Sequence, residues 1–296
     1  MITDIDLQVR QPFHEKGFVV LHDWIPQDWL EELRAVTDRV LARAPDDAEK
    51  SALLDWEPEV DAQGRRRVQR IRRPQDIDPF YWKLARADFI LDAVAAVIGP
   101  DIRLHHSKIN IKAPAVGSAL EWHQDWAFIP HTYPGMAIVA ICLDPCAEVN
   151  GPIRFLPESH RGPLHDHHSD GVFFGAIDPA ELDLDRAEHA VGEAGMISIH
   201  HPFTVHGSGF NHGVHDRRIL FFEYAAADAW PLFYGVQWDE FNQRMVRGQS
   251  TYTPRMEAVA LRMPYPSATY GAGKIYDQQQ RFDKKFFRAK SSGEKA

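Results

Sequence analysis

Between residues 101 and 224 the chain is built from short runs rich in β-branched and aromatic residues: IRLHHSKINIKA, MAIVAICLD, IRFLPES, GMISIHH and RRILFFEYAA. Gly, Pro, Asn and Asp separate them, and no long helical pattern intervenes. Strands punctuated in this way point to an antiparallel sandwich or barrel. The flanks have a different texture. GFVVLHDW (17–24) reads as a strand. In the following run, 25–44, Trp29, Leu30, Leu33, Val36 and Val40 recur at helical spacing, with Pro26 near the first turn. Residues 45–64 are charged and aperiodic and read as loop. Residues 78–100 read as two helices, with Asp78 and Asp88 as N-caps and Gly99-Pro100 as the stop. The expected organisation is one mainly β domain with outer helices. Residues 1–100 would pack on a β core at 101–226. An aromatic segment with a helical piece near 238–246 would follow, ending in a frayed tail.

Bulk properties narrow the partners. A net charge of −9 argues against nucleic acid or an anionic membrane, since both select basic surfaces. No apolar run approaches the ~20 residues a membrane helix needs. The start, MITDIDLQ, lacks the basic and apolar regions of a signal peptide. The two cysteines, Cys142 and Cys146, make no disulfide framework, so a cytoplasmic protein is the simpler expectation. The expected partner is a small-molecule substrate, on a monomer or homodimer.

EWHQDWAF, 121–128, places His123 and Asp125 between two tryptophans. In a strand these two polar residues share one face, where they are costly to bury unless something binds them. A metal accounts for both. Two histidines and a carboxylate make the facial triad of non-haem Fe(II) oxygenases, which leaves positions open for substrate and O₂. The second histidine is expected to be His206, in FTVHGSGFNHGVHDRRILFFEY. A hairpin centred between Asn211 and His212 would set His206 opposite Arg217 at the ~4.5–5.5 Å of cross-strand neighbours, with Arg218 pointing away. An arginine beside a metal histidine makes sense if a dicarboxylate bridges them, one end on iron and the other on the guanidinium fork. That molecule would be 2-oxoglutarate.

These residues carry a resemblance. FHEKGFVVLHDWIPQDWLEELR, WHQD, NGPIRFLPESH and HGSGFN…R are similar to the opening strand and helix, the metal motif, the "NG…PGSH" stretch, and the distal histidine and arginine of the phytanoyl-CoA dioxygenase (PhyH) family. The resemblance runs from about 11 to 226. It implies a double-stranded β-helix, the jelly-roll or cupin-like barrel, as the core of a single oxygenase domain. It implies an iron- and 2-oxoglutarate-dependent dioxygenase that hydroxylates a small organic substrate, with succinate and CO₂ as coproducts. Residue by residue, it implies His123, Asp125 and His206 as iron ligands and Arg217 as the cosubstrate anchor. Where the family often has a hydroxyl residue after the asparagine, this chain has Gly213; where it has PGSH, this chain has PESH.

Blander readings stand beside these. SKINIKAP puts His106, Lys108, Asn110 and Lys112 on one strand face, and Lys108 and Asn110 are the choices for oxoglutarate or substrate contacts; the alternative is a solvated face. HDHHSD, 165–170, is expected to be a polar loop rather than a chelator, and His200 and His201 to serve packing or support of the ligands. Six arginines in 64–74 attract an anion or pair with the many acids, and Val68 and Arg70 would line the pocket mouth. Trp122 and Trp126 are assigned to packing behind the metal strand. Trp230, Phe233 and Tyr234 are candidates for a lid or a subunit contact. Two other functions fit parts of the pattern: a Zn²⁺ cupin isomerase or hydrolase, which leaves Arg217 idle, and a sensor that binds metal and oxoglutarate without turnover.

Overall fold

The computed structural model describes residues 4–44, 52–61, 63–115, 117–233, 235–263 and 275–287. Helix α1 (Gln11–Lys16) ends at Gly17, whose φ of 88° is cheap only for glycine, and the chain turns directly into strand β1 (Phe18–Leu21). Helix α2 (Gln27–Arg43) buries Leu30, Leu33 and Val36, the stripe the spacing predicts. The loop expected at 45–64 is corrected in part: β2 (Leu54–Val60) pairs with β3 (Arg66–Arg72). As the edge strand of its sheet, β2 can hold Pro58 without losing a ladder bond. Its far half is exposed, so no alternation marks it. Asp78 caps α3 (Pro79–Ala85), accepting from the Phe80 amide at 2.9 Å. Asp88 is not a cap; it opens the first turn of α4 (Asp88–Ile98) behind Ala87.

The remaining strands are β4 (Ile102–Lys112), β5 (Leu120–His123), β6 (Met136–Cys142), β7 (Ile153–Phe155), the hairpin β8 (His168–Ser169) and β9 (Val172–Phe173), β10 (Glu188–His189), β11 (Ile197–His200), β12 (His206–Ser208), β13 (Arg217–Ala226) and β14 (Met245–Arg247). The large sheet runs β1-β11-β6-β13-β4-β3-β2, with β14 also on β4, and the small sheet runs β10-β7-β12-β5. Successive strands alternate between them: β4, β6, β11 and β13 lie in the large sheet and β5, β7 and β12 in the small one. This is the double-stranded β-helix. The outer face of the large sheet, with Ile109, Val139, Ile199, Leu220 and Phe222, packs on Leu33, Leu84 and Leu91 of the helices. The inner face contributes Ile138, Ala140, Ile219 and Phe221, which meet Phe155 of the small sheet. Cys142 and Cys146 are free buried thiols, 2.8 Å apart.

The alternation corrects the hairpin expected around Asn211–His212. β12 pairs with β5 and β7, not with β13. The chain between them crosses from one sheet to the other. Asn211 secures that crossing by donating to the Lys112 and His215 carbonyls at 2.7 and 2.8 Å. A local pairing rule fails here because each strand finds its partners in distant segments.

The C-terminal segment also differs from expectation. Trp230 stacks on Trp238 at the start of α5 (Trp238–Asn242), and Tyr252 stacks on Trp238; these rings cover one another. Tyr234 lies outside the described residues. Helix α6 (Ile275–Gln279), not Trp230 or Phe233, reaches the barrel mouth. The tail is not wholly frayed, since Phe287 is buried and stacks on Trp122.

Candidate metal centre

His123 is the last residue of β5 and pairs with His206, the first of β12. Asp125 lies beyond the strand and opens a 3₁₀ turn, Asp125–Ala127, which corrects the expectation of a continuous strand. Gln124 between them keeps extended angles (φ −116°, ψ 127°), so the alternation persists for one step past the ladder. Gln124 points away and is fully buried. Its side chain donates to the Pro163 and Phe203 carbonyls, and its amide donates to His167 Nε2 at 2.9 Å. His167, from the stretch expected as a polar loop, thus braces the metal segment. The tryptophans sit outside the barrel: Trp122 packs with Leu156, Ile177 and Val205, and Trp126 stacks on Phe203 and donates to the Ala260 carbonyl.

The donor atoms of His123, Asp125 and His206 lie within 4.8 Å of one another. Each imidazole is held by its other nitrogen: His123 Nδ1 donates to the Glu121 carbonyl at 2.8 Å and His206 Nδ1 to the Thr204 carbonyl at 2.9 Å. Both Nε2 lone pairs therefore face the carboxylate, the tautomer a metal ligand requires. Burial drives His206 well below its ordinary range and keeps it neutral. Against burial, which alone would raise it, the Asp125 carboxyl is held well below the usual range, with His200 donating to it. Two imidazole Nε2 atoms and one carboxylate suit a divalent cation.

His200 on β11 is fully buried, and its Nε2 donates to Asp125 Oδ2 at 3.1 Å. It orients the carboxylate. We expect His200→Phe to weaken Fe(II) binding by about 10–100-fold, the usual cost of losing such an outer partner, with the fold intact by circular dichroism. An unchanged anaerobic Fe(II) titration would remove His200 from the site.

The three triad residues open on a cavity of about 320 Å³. Arg217 lines it from across the barrel rather than from beside His206. Arg217 is 2% exposed, donates through Nη2 to the Gly151 carbonyl at 3.0 Å, and leaves Nε without a partner. No carboxylate pairs with it among the described residues, although a buried charge is costly unpaired. Lys112, its neighbour on β4, donates to Ser208 Oγ at 2.7 Å and to the Ser208 and Gly209 carbonyls. Arg217 and the Ser208 hydroxyl, which supplies what Gly213 does not, form a cradle fit for a carboxylate, with Lys112 packed behind Ser208. Arg218 faces outward onto Asp144 and Asp38. Asn110 and Lys108 both line the cavity; Asn110 accepts from Arg70 Nε at 3.1 Å and Lys108 pairs with Glu223 at 2.8 Å. Sequence reasoning missed Ser208, His167 and Glu223, and passed over Lys112. Position two after the distal histidine was the available signal for Ser208.

Arg70 lines the cavity, but Val68 joins the apolar core. The other arginines of the stretch largely meet acids: Arg65 and Arg67 reach Asp61, Arg67 also Asp216, Arg72 Asp55 and Arg73 Asp76. Glu158, in place of the glycine of PGSH, takes the left-handed conformation a glycine would take easily (φ 66°).

Several buried histidines make the protein acid-sensitive. Burial pushes His105 down to about 4, and His131 and His167 to about 3. The unfolded chain takes up these protons below about 6.5, whereas the folded one does not. The penalty is thus absent above that pH and grows as pH falls toward 4. It amounts to ~1.4 kcal/mol per pH unit for each histidine. His131→Gln should flatten the decline of the unfolding midpoint over this window. An equal slope in both proteins would count against a neutral buried His131.

No helix among the described residues is long and apolar enough to cross a membrane. The profile of the phytanoyl-CoA dioxygenase (PhyH) family matches residues 13–219. A "Probable alpha-ketoglutarate-dependent hypophosphite dioxygenase" of Stutzerimonas stutzeri is 39% identical over 226 residues, 74% of this chain and 78% of that one. The peroxisomal phytanoyl-CoA dioxygenase of Rattus norvegicus is 26% identical over 236 residues, 76% of this chain and 69% of that one. The crystal structure of EctD from S. alaskensis with 2-oxoglutarate and 5-hydroxyectoine superposes with a TM-score of 0.66 at 21% identity, covering 87% of this chain and 89% of that one.

Proposed function

Because the chain belongs to the phytanoyl-CoA dioxygenase (PhyH) family, we propose that His123, Asp125 and His206 hold its iron and that Arg217, with Lys112 and Ser208, anchors its 2-oxoglutarate. The protein is an Fe(II)- and 2-oxoglutarate-dependent dioxygenase. One observation carries the assignment of residues. A triad of ligand atoms and a buried guanidinium without a carboxylate partner face the same cavity from opposite sheets. Bound iron supplies the activation of O₂ that couples oxoglutarate decarboxylation to substrate hydroxylation. The chain's own part is positional. His200 orients the carboxylate ligand, the Glu121 and Thr204 carbonyls fix the imidazole tautomers, and the barrel wall with α6 keeps water from the site. A zinc isomerase would leave Arg217 without a role.

The cavity must hold the cosubstrate as well, so its volume of about 320 Å³ supports a small substrate. We read the chain as one cytoplasmic domain, a monomer or homodimer acting on a small molecule. Anaerobic addition of Fe(II) and 2-oxoglutarate should give a weak visible charge-transfer band, and admission of O₂ with substrate should give succinate. Absence of the band would overturn the assigned site.

A further inference from the structure

The cavity wall formed by β4 and β13 is graded in charge. Register places Arg217 opposite Lys112, Phe221 opposite Lys108 and Glu223 opposite His106, and all six line the cavity. Six strand steps separate Arg217 from Glu223, about 20 Å at ~3.3 Å per residue. 2-Oxoglutarate extended from the metal to Arg217 cannot also reach Glu223. The far end therefore remains for substrate. It lies in the same cavity as His123 and Asp125.

That end holds one cation and one anion. Lys108 Nζ is 2.8 Å from Glu223 Oε1, with the two side chains 20% and 4% exposed. The imidazoles of His105 and His106 complete the polar wall, both pushed down to about 4 first by burial and so uncharged at neutral pH. Phe128, Ile129 and Phe221 supply the apolar remainder. A simple anion at Lys108 would face the buried Glu223 carboxylate. A simple cation at Glu223 would displace Lys108 from its partner. A molecule carrying both charges exchanges partners with the pair and buries no net charge.

Resting on the dioxygenase reading above, we propose that the substrate is a small zwitterion, an amine and an acid on one compact skeleton. Its ammonium group would sit on Glu223 and its anionic group on Lys108. The test is anaerobic calorimetric titration of the Fe(II)·2-oxoglutarate protein with a panel of compact probes. The panel holds amino acids and betaines, their amides as cations, their N-acetyl derivatives as anions, and hypophosphite as a mineral anion. The expected result is that at least one zwitterion binds ~30-fold or more tighter than its own amide and N-acetyl forms. Glu223→Gln should shift preference toward the N-acetyl form, and Lys108→Gln toward the amide. Tighter binding of hypophosphite or any N-acetyl form by the unaltered protein would overturn the proposal. So would the failure of every zwitterion to bind at millimolar concentration, or unaltered charge preference in both variants. The charge-transfer band of the unaltered protein with 2-oxoglutarate alone separates the two levels. If the band forms and the charge selectivity fails, only the zwitterion is lost; if it does not form, the iron site and this inference fall together.

Discussion

His123→Ala, Asp125→Ala and His206→Ala should each abolish iron-dependent succinate formation, by more than the ~10–100-fold that loss of an outer partner costs. Their donor atoms lie within 4.8 Å of one another, and three ligands are the minimum the facial arrangement provides. The variants should remain folded. The β12–β5 and β12–β7 ladders are backbone pairings, and the metal segment is also braced by His167 and the Gln124 side chain. Anaerobic Fe(II) titration should show the loss directly, and circular dichroism should show unchanged structure. Activity close to that of the unaltered protein in any of the three would remove that residue from the triad. Asp125→Gly carries a further expectation: oxoglutarate chelation survives in part, because both imidazoles and the Arg217 cradle remain, while hydroxylation stops. An unchanged hydroxylation rate would contradict it.

The site was legible in the sequence where chemistry is written in fixed residue types. A histidine and an aspartate held between two tryptophans announce a metal more clearly than their conformation does. The step from His123 to Asp125 looked like strand, and extended Gln124 made the inference hold although the ladder had ended. The link from His206 to Arg217 reached the right neighbourhood through the wrong geometry. A loop with Gly and Asn between two strands suggests a hairpin, but here it carries the chain between sheets, and the two residues line one cavity from different sheets. Local sequence cannot show which distant strand completes a ladder. The same holds for Glu223, His167 and α6, whose roles arise only when segments far apart in sequence close on one cavity. β2 was hidden for a simpler reason: an edge strand with Pro58 and an exposed end has no buried face along its whole length to impose a pattern.

Arg217→Ala should weaken 2-oxoglutarate binding by about 30-fold or more, and Arg218→Ala should change it little. The two arginines are adjacent in sequence, and the strand sends them to opposite faces. Arg218 is engaged on the outside by Asp144 at 2.8 Å and Asp38 at 2.5 Å, which leaves its fork no reach into the barrel. Arg217 is buried in the cavity wall, with one nitrogen on the Gly151 carbonyl and Nε unpaired. Losing one partner of a buried, hydrogen-bonded charge pair costs about 2–5 kcal/mol, and ~1.4 kcal/mol is tenfold. Arg217→Lys keeps the charge but loses the planar fork, so it should raise the oxoglutarate KM more than it lowers kcat. Lys112 adds a check from the same cradle. Because Lys112 Nζ already lies on Ser208 Oγ and two carbonyls, Lys112→Met should weaken oxoglutarate less than Arg217→Ala. Oxoglutarate titrations of the four variants decide between this cradle and any other anchor. A larger loss in Arg218→Ala than in Arg217→Ala would place the far carboxylate outside the barrel wall and overturn the Arg217 cradle.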